Sequence, residues 1–133
     1  MSTVNKNVVI TTTAREKLVK ARAGDITLPA IIGMAFGDGG VNSGGSVITP
    51  ASDQTELVNE LLRKTLDTED GHTYPSSMTC RYKCTLSEDE LAGKEISEIG
   101  LYDEDGDMVA IKNFVRKGKD DDIEMSFTLD DIF

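Results

Sequence analysis

The chain has 133 residues, a length suited to one domain, and at that size about two-thirds of the unfolded surface can be buried without disulfide or metal staples. A hydrophobic share of 38% beside 29% charged residues is that of an ordinary globular protein, and no stretch reaches the roughly 18 apolar residues that span a bilayer, so no membrane partner is expected. The net charge of −10 argues against nucleic acid as a main partner.

The start, MSTVNKNVVI, has no apolar signal-peptide core, which points to synthesis and folding in a cytoplasm. Charge is unevenly spread: Lys6, Arg15, Lys17, Lys20 and Arg22 against Glu16 make residues 1–24 net +4, which leaves −14 on the remainder. A basic start on an acidic body reads as internal compensation, or as complementarity toward another copy or a partner.

Val8–Ile10 is a short β-prone run. Thr13 and Glu16 then have capping-box spacing, and a helix is predicted over Ala14–Ala23, with Gly24 as the left-handed residue that closes it. Ala14, Leu18 and Ala21 form a narrow apolar stripe beside Val19, so this helix lies on a surface without being engulfed. The run 26–36 reads as strand. Pro29 has no amide to donate, so the central part starts at Ala30, and Ala30–Phe36 is apolar on both faces, which predicts burial on both sides. A glycine-rich loop, Gly37–Gly45, follows. It lacks the Lys of a P-loop, and Gly37-x-Gly39 is followed by Asn42 where a dinucleotide fingerprint needs glycine. A sharp turn or a close approach to another subunit accounts for it better.

Asp53 and Glu56 repeat the capping spacing, and Leu57, Val58, Leu61 and Leu62 make one apolar stripe ahead of Arg63 and Lys64. A second main helix is therefore predicted, ending near Lys64 or Thr65. Asp67–Pro75 reads as a polar connection, with a turn at Asp70-Gly71 and an extended Tyr74-Pro75. In Ser77–Leu86, apolar Met78, Cys80, Tyr82, Cys84 and Leu86 alternate with polar residues, the mark of a half-buried strand. Ser87–Glu90 is a third capping signal and predicts a helical turn or two.

Glu95–Phe114 is the best-defined unit. Ile96–Tyr102 and Met108–Phe114 are predicted arms of a hairpin turned at Asp103–Asp107, where Asp-Gly tolerates positive φ. Arg116–Asp122 reads as a solvated charged loop, and Ile123, Met125, Phe127 and Leu129 as a last half-buried strand. Ile132 and Phe133 are large for a free tail and are expected to dock on the domain or in an oligomer interface. The element order predicts an α+β fold in a single domain over 1–133: a mostly antiparallel β-sheet with two main helices packed on it.

No residue pattern points to catalysis. Counted from Asp103, an EF-hand loop would need Gly at position 6 and Glu at 12, but Gly106 falls at 4 and Phe114 at 12. Cys80 and Cys84 lie four residues apart in one predicted strand, roughly 13 Å, too far for a disulfide and unsuited to clasping one zinc. His72, the one histidine, has no neighbouring nucleophile in the sequence. No enzyme activity, metal or cofactor is expected.

Three blocks together carry a resemblance. They are ITTTAREKLVKARAGDITLPAIIGMAFGDGG, then Thr55–Glu60 (TELVNE) with Arg63 close behind, then Ile96–Ala110 (ISEIGLYDEDGDMVA). Their order resembles the N-terminal domain of phage tail-collar fibre proteins, found in contractile-tailed phages, prophages and R-type bacteriocins. The resemblance implies a structural role in the virion or a tail-like particle. Such a domain attaches a fibre to the baseplate, with baseplate proteins and the tail fibre as partners, and as a trimer. Family members continue into a shaft and a receptor-binding tip, whereas this chain stops at Phe133, so a stand-alone adaptor at the baseplate periphery is expected. The interface is expected at Arg15, Leu18 and Arg22, at Gly37, Asp38, Gly39 and Gly40, and at Ile132 and Phe133. A small ligand- or receptor-binding module is the competing reading, which a concave apolar pocket with convergent polar groups would mark.

Overall fold

The computed structural model describes residues 7–133, and two antiparallel sheets carry them. In chain order the elements are β1 (Val8–Ile10), α1 (Thr12–Arg22), β2 (Ile31–Gly37), β3 (Glu60–Thr65), β4 (His72–Ser76), β5 (Thr79–Leu86), β6 (Glu95–Asp103), β7 (Met108–Gly118) and β8 (Met125–Ile132). The larger sheet has the order β1-β7-β6-β2-β3 and the smaller one β4-β5-β8.

The two-residue period of the strands decides where the cores lie. Met34 and Phe36 of β2, Ile99 and Leu101 of β6 and Ala110 of β7 face the smaller sheet, where Cys84, Leu86 and Leu129 meet them. Phe127 adds edge-on and tilted ring contacts to Phe36 and Phe114. The intervening residues Ala35, Tyr102, Met108 and Ile111 point to the opposite face, where Leu57 covers them. The expected two-sided burial of Ala30–Phe36 therefore holds from Gly33 onward, while Ala30 and Ile32 are exposed.

The expectation of two main helices is overturned. The fold is mostly β, and α1 is its one helix among the described residues. The predicted helix over 53–65 is instead a loop followed by β3, which pairs antiparallel with β2 and sets Leu62 opposite Phe36. The cause is long-range. Glu98 of β6 is fully buried, and its carboxylate accepts the amides of Val58 (2.8 Å), Asn59 (2.9 Å) and Gly39 (2.8 Å). In a helix begun at Asp53 the Val58 and Asn59 amides would donate to carbonyls four residues back; given to Glu98 they cannot, and local propensity is weak beside a buried charged acceptor and a sheet edge. The third capping signal likewise makes only a turn. Glu90 accepts from the Ser87 amide as in a capping box, but the Ser87 hydroxyl donates to Glu90 in place of accepting its amide, and Leu91 and Gly93 at positive φ break the chain away.

The hairpin stands where the sequence places it, with longer arms. Its turn closes by Gly106 N–H donating to the Asp103 carbonyl (2.8 Å), and Gly106 has φ +85°, a left-handed conformation that glycine adopts without strain. Helix α1 starts two residues earlier than predicted. Thr11 is the cap: its hydroxyl oxygen accepts from Ala14 N–H (3.1 Å) and its proton goes to the Met108 carbonyl (2.7 Å). That second bond ties the cap to β7, a selection Thr13 cannot match. Gly24, at φ +84°, closes the helix as expected. The last strand lies further along than predicted, and β4 arises in the stretch read as a polar connection. The charged loop is shorter, because β7 runs to Gly118 and Lys119 is buried, donating to the Glu88 and Asp120 carbonyls (both 2.8 Å).

Glu98→Gln keeps the volume but turns an amide NH2 toward at least one backbone donor. It should lower the unfolding free energy by roughly 3 kcal/mol, read by chemical denaturation. An unchanged midpoint would remove Glu98 from the centre of the fold.

Candidate interaction surface

Helix α1 has no buried residue, so packing alone does not hold it. What holds it, besides Thr11, is Lys17. The ammonium sits among three hairpin-tip carboxylates, 2.7 Å from Asp103, 3.0 Å from Asp105 and 2.8 Å from Asp107. Asp103 is buried and orders the tip, its second oxygen accepting the amides of Asp105 and Asp107. Desolvation works against the lysine's charge, but hydrogen bonds to Asp103, Asp107 and Asp105 outweigh it and hold the pKa above the usual lysine value. The three carboxylates approach within 4.8 Å of one another, a spacing that suits a metal, and the ammonium stands in the cation's place. Glu104, also on the tip, pairs with Ala30 through Ala30 N–H to its carboxylate (2.8 Å) and its own amide to the Ala30 carbonyl (3.0 Å).

The tip therefore fixes two segments at once, α1 and the approach to β2, and these form one wall of a groove of about 620 Å³. Leu18, Leu28 and Ile31 line that wall, and Tyr82, Ile132 and Phe133 line the other. Ile132 and Phe133 are 65% and 73% exposed, so the expectation that they dock on their own domain is not met, and the interface alternative stands. The groove also holds Asp131, whose carboxylate has no hydrogen bond among the described residues and whose pKa desolvation raises. Burial, with the neighbouring Cys80 thiol second, pushes the Tyr82 hydroxyl up as well.

The residues predicted as interface fall into two places. Arg15, Leu18, Ile132 and Phe133 come together in the groove. Arg22 is exposed at the end of α1, outside the groove lining. Gly37 ends β2, and Asp38, Gly39 and Gly40 follow it, where they bind groups within the chain. Gly39 binds Glu98, Asp38 accepts from the Asn59 side chain (2.6 Å), and Gly40 N–H donates to Ser97 (2.9 Å). A Cβ on Gly40 would run into the Ser97 carbonyl, so that glycine answers a close approach within the chain. Leu28, Tyr74 and Tyr82 line the groove without having been predicted; a large aromatic residue in a segment read as polar is the signal that points to Tyr74, and an apolar residue just before the strand-breaking Pro29 the one that points to Leu28.

Fold and surface together define a β-rich module that presents an apolar groove between a basic helix and an exposed strand end. A family model described as Phage tail-collar fibre protein, N-terminal, matches residues 4–128. The chain belongs to that family, and with it come a structural role in a phage tail fibre, a location in the virion tail and association with other tail components. No curated protein and no solved structure matches the chain.

Lys17→Met leaves three carboxylates facing each other and releases α1. Amide hydrogen exchange in α1 should speed up relative to β6, with a loss of about 2 kcal/mol in stability at low salt. Asp131→Asn should raise Tm at neutral pH. Burial raises the folded pKa above the unfolded one, so the carboxylate costs stability above its folded pKa and stops doing so once protonated. The advantage of the variant should shrink as pH falls through the folded pKa and vanish below the ordinary carboxyl range; thermal melts of both proteins at pH 7.5 and 3.5 read this.

Proposed function

We propose that the chain is an attachment subunit at the baseplate periphery of a contractile phage tail or R-type bacteriocin-like particle, connecting fibres to the baseplate. It works by contact and not by catalysis, as a homo-oligomer, a trimer, that assembles in the bacterial cytoplasm. The family membership supports the tail role. The observation that carries the contact reading is the groove with Ile132 and Phe133 exposed on its rim. Solvent-facing apolar side chains beside a shaped concavity are what subunit packing covers.

The volume also lies in the range of small-ligand sites, which favours the ligand- or receptor-binding module as a second reading. Light scattering after size exclusion separates the two. Attachment through oligomer contacts predicts a molar mass three times the 14.4 kDa chain, falling to one chain for Ile132→Asp with Phe133→Asp while Tm is kept. A chain monomeric at all concentrations, or absent by mass spectrometry from purified particles, overturns the proposal.

A further inference from the structure

We propose that a second groove, between the free edges of β1 and β8, takes up an extended acidic-aliphatic segment of another tail component by strand addition. The proposal rests on the tail role above and adds the chemistry of the partner.

Among the described strands, β1 ends the larger sheet and β8 ends the smaller one, each with one side unpaired. Both edges line one groove of about 500 Å³, with Val8, Val9 and Ile10 on one side and Thr128, Leu129, Asp130 and Ile132 on the other. Unpaired backbone donors and acceptors beside apolar pockets are what strand addition uses. The remaining edges are blunted. β3 carries the Glu60–Arg63 and Lys64–Glu90 ion pairs, and β4 carries Pro75.

Charge selects the partner. Arg15 and Lys112 line this groove, and neither forms an ion pair among the described residues. The acid on the same wall, Asp130, is already held by Arg81 through two bonds of 2.8 and 3.0 Å. On a chain of net −10, the free charge of this groove is thus positive. A strand with aliphatic side chains for Val8, Ile10 and Ile132, and carboxylates for Arg15 and Lys112, satisfies both. The chain's own acidic run, Asp120–Asp122, is a poor donor of that strand, because Lys119 pins its base to the Glu88 and Asp120 carbonyls.

The test uses the full chain and two capped octapeptides, one of alternating Glu and Val, the other of alternating Lys and Val. Titration calorimetry and amide exchange by NMR should show that the Glu-Val peptide binds and slows exchange in β8. Lys112→Glu and Arg15→Glu, each with unchanged Tm, should weaken binding by about tenfold, as loss of a charge pair does. Equal binding of the Lys-Val peptide, no protection in β8, indifference to both charge reversals, or no binding at millimolar peptide overturns the proposal. So does self-association that Lys112→Glu abolishes, which would put a second copy in the groove. Particle composition tests the tail role separately, so failure of the peptide leaves that role standing.

Discussion

The buried carboxylate of Glu98 sets the geometry on which the other contacts depend. It sits in β6 at the middle of the larger sheet and collects amides from two loops, Gly39 from one and Val58 and Asn59 from the other. A buried charge without hydrogen bonds is strongly disfavoured, so both loops are held to it. That capture lines β3 up along β2. It then places Arg63 of β3 over the Tyr102 ring at 4.6 Å, where its guanidinium also reaches the Gly106 carbonyl at 2.9 Å. A hydrogen bond with Glu60, the largest influence on it, holds the Arg63 pKa above its usual value.

From Gly106 the connection continues without a gap. The hairpin tip that Arg63 steadies is the one whose carboxylates hold Lys17, and Lys17 holds α1. The tip also grips Ala30 through Glu104. One buried carboxylate and one acidic turn thereby position both parts of the groove wall contributed by α1 and the start of β2. The acidity of Asp103–Asp107 serves this anchoring, beyond any contribution to solubility. It also answers one question raised by the charge distribution, since part of the basic N-terminal segment is compensated inside the chain.

Among the described residues, Arg15, Lys20 and Arg22 of that segment form no ion pair, and Lys6 lies outside the described residues. Arg15 projects where two grooves meet, and the exposed apolar rim beside it consists of the strand end Ile132 and the residue after it, Phe133. For a tail-fibre family member this combination is apt: apolar area supplies adhesion, and unpaired charges give direction and choice of partner.

What sequence alone determined is what neighbouring residues decide among themselves. The Asp-Gly turn, the alternation of Thr79–Leu86, the glycine that ends α1 and the two-sided apolar run of β2 are local codes, and each appears in the fold. The family, too, was legible in the order of short blocks. The second helix was misread because the capping spacing of Asp53 and Glu56 is a local preference worth little, while the amides of Val58 and Asn59 answer to a carboxylate 40 and 39 residues away. The groove was half legible for the same reason. Arg15, Leu18, Ile132 and Phe133 advertise themselves as surface residues in search of cover, but only the tertiary structure brings them into one groove and ties the Gly39 and Gly40 amides to Glu98 and Ser97. Which carboxylate meets which amide, and which edge is left unpaired, depends on the packing of two sheets, and no window of sequence contains both partners.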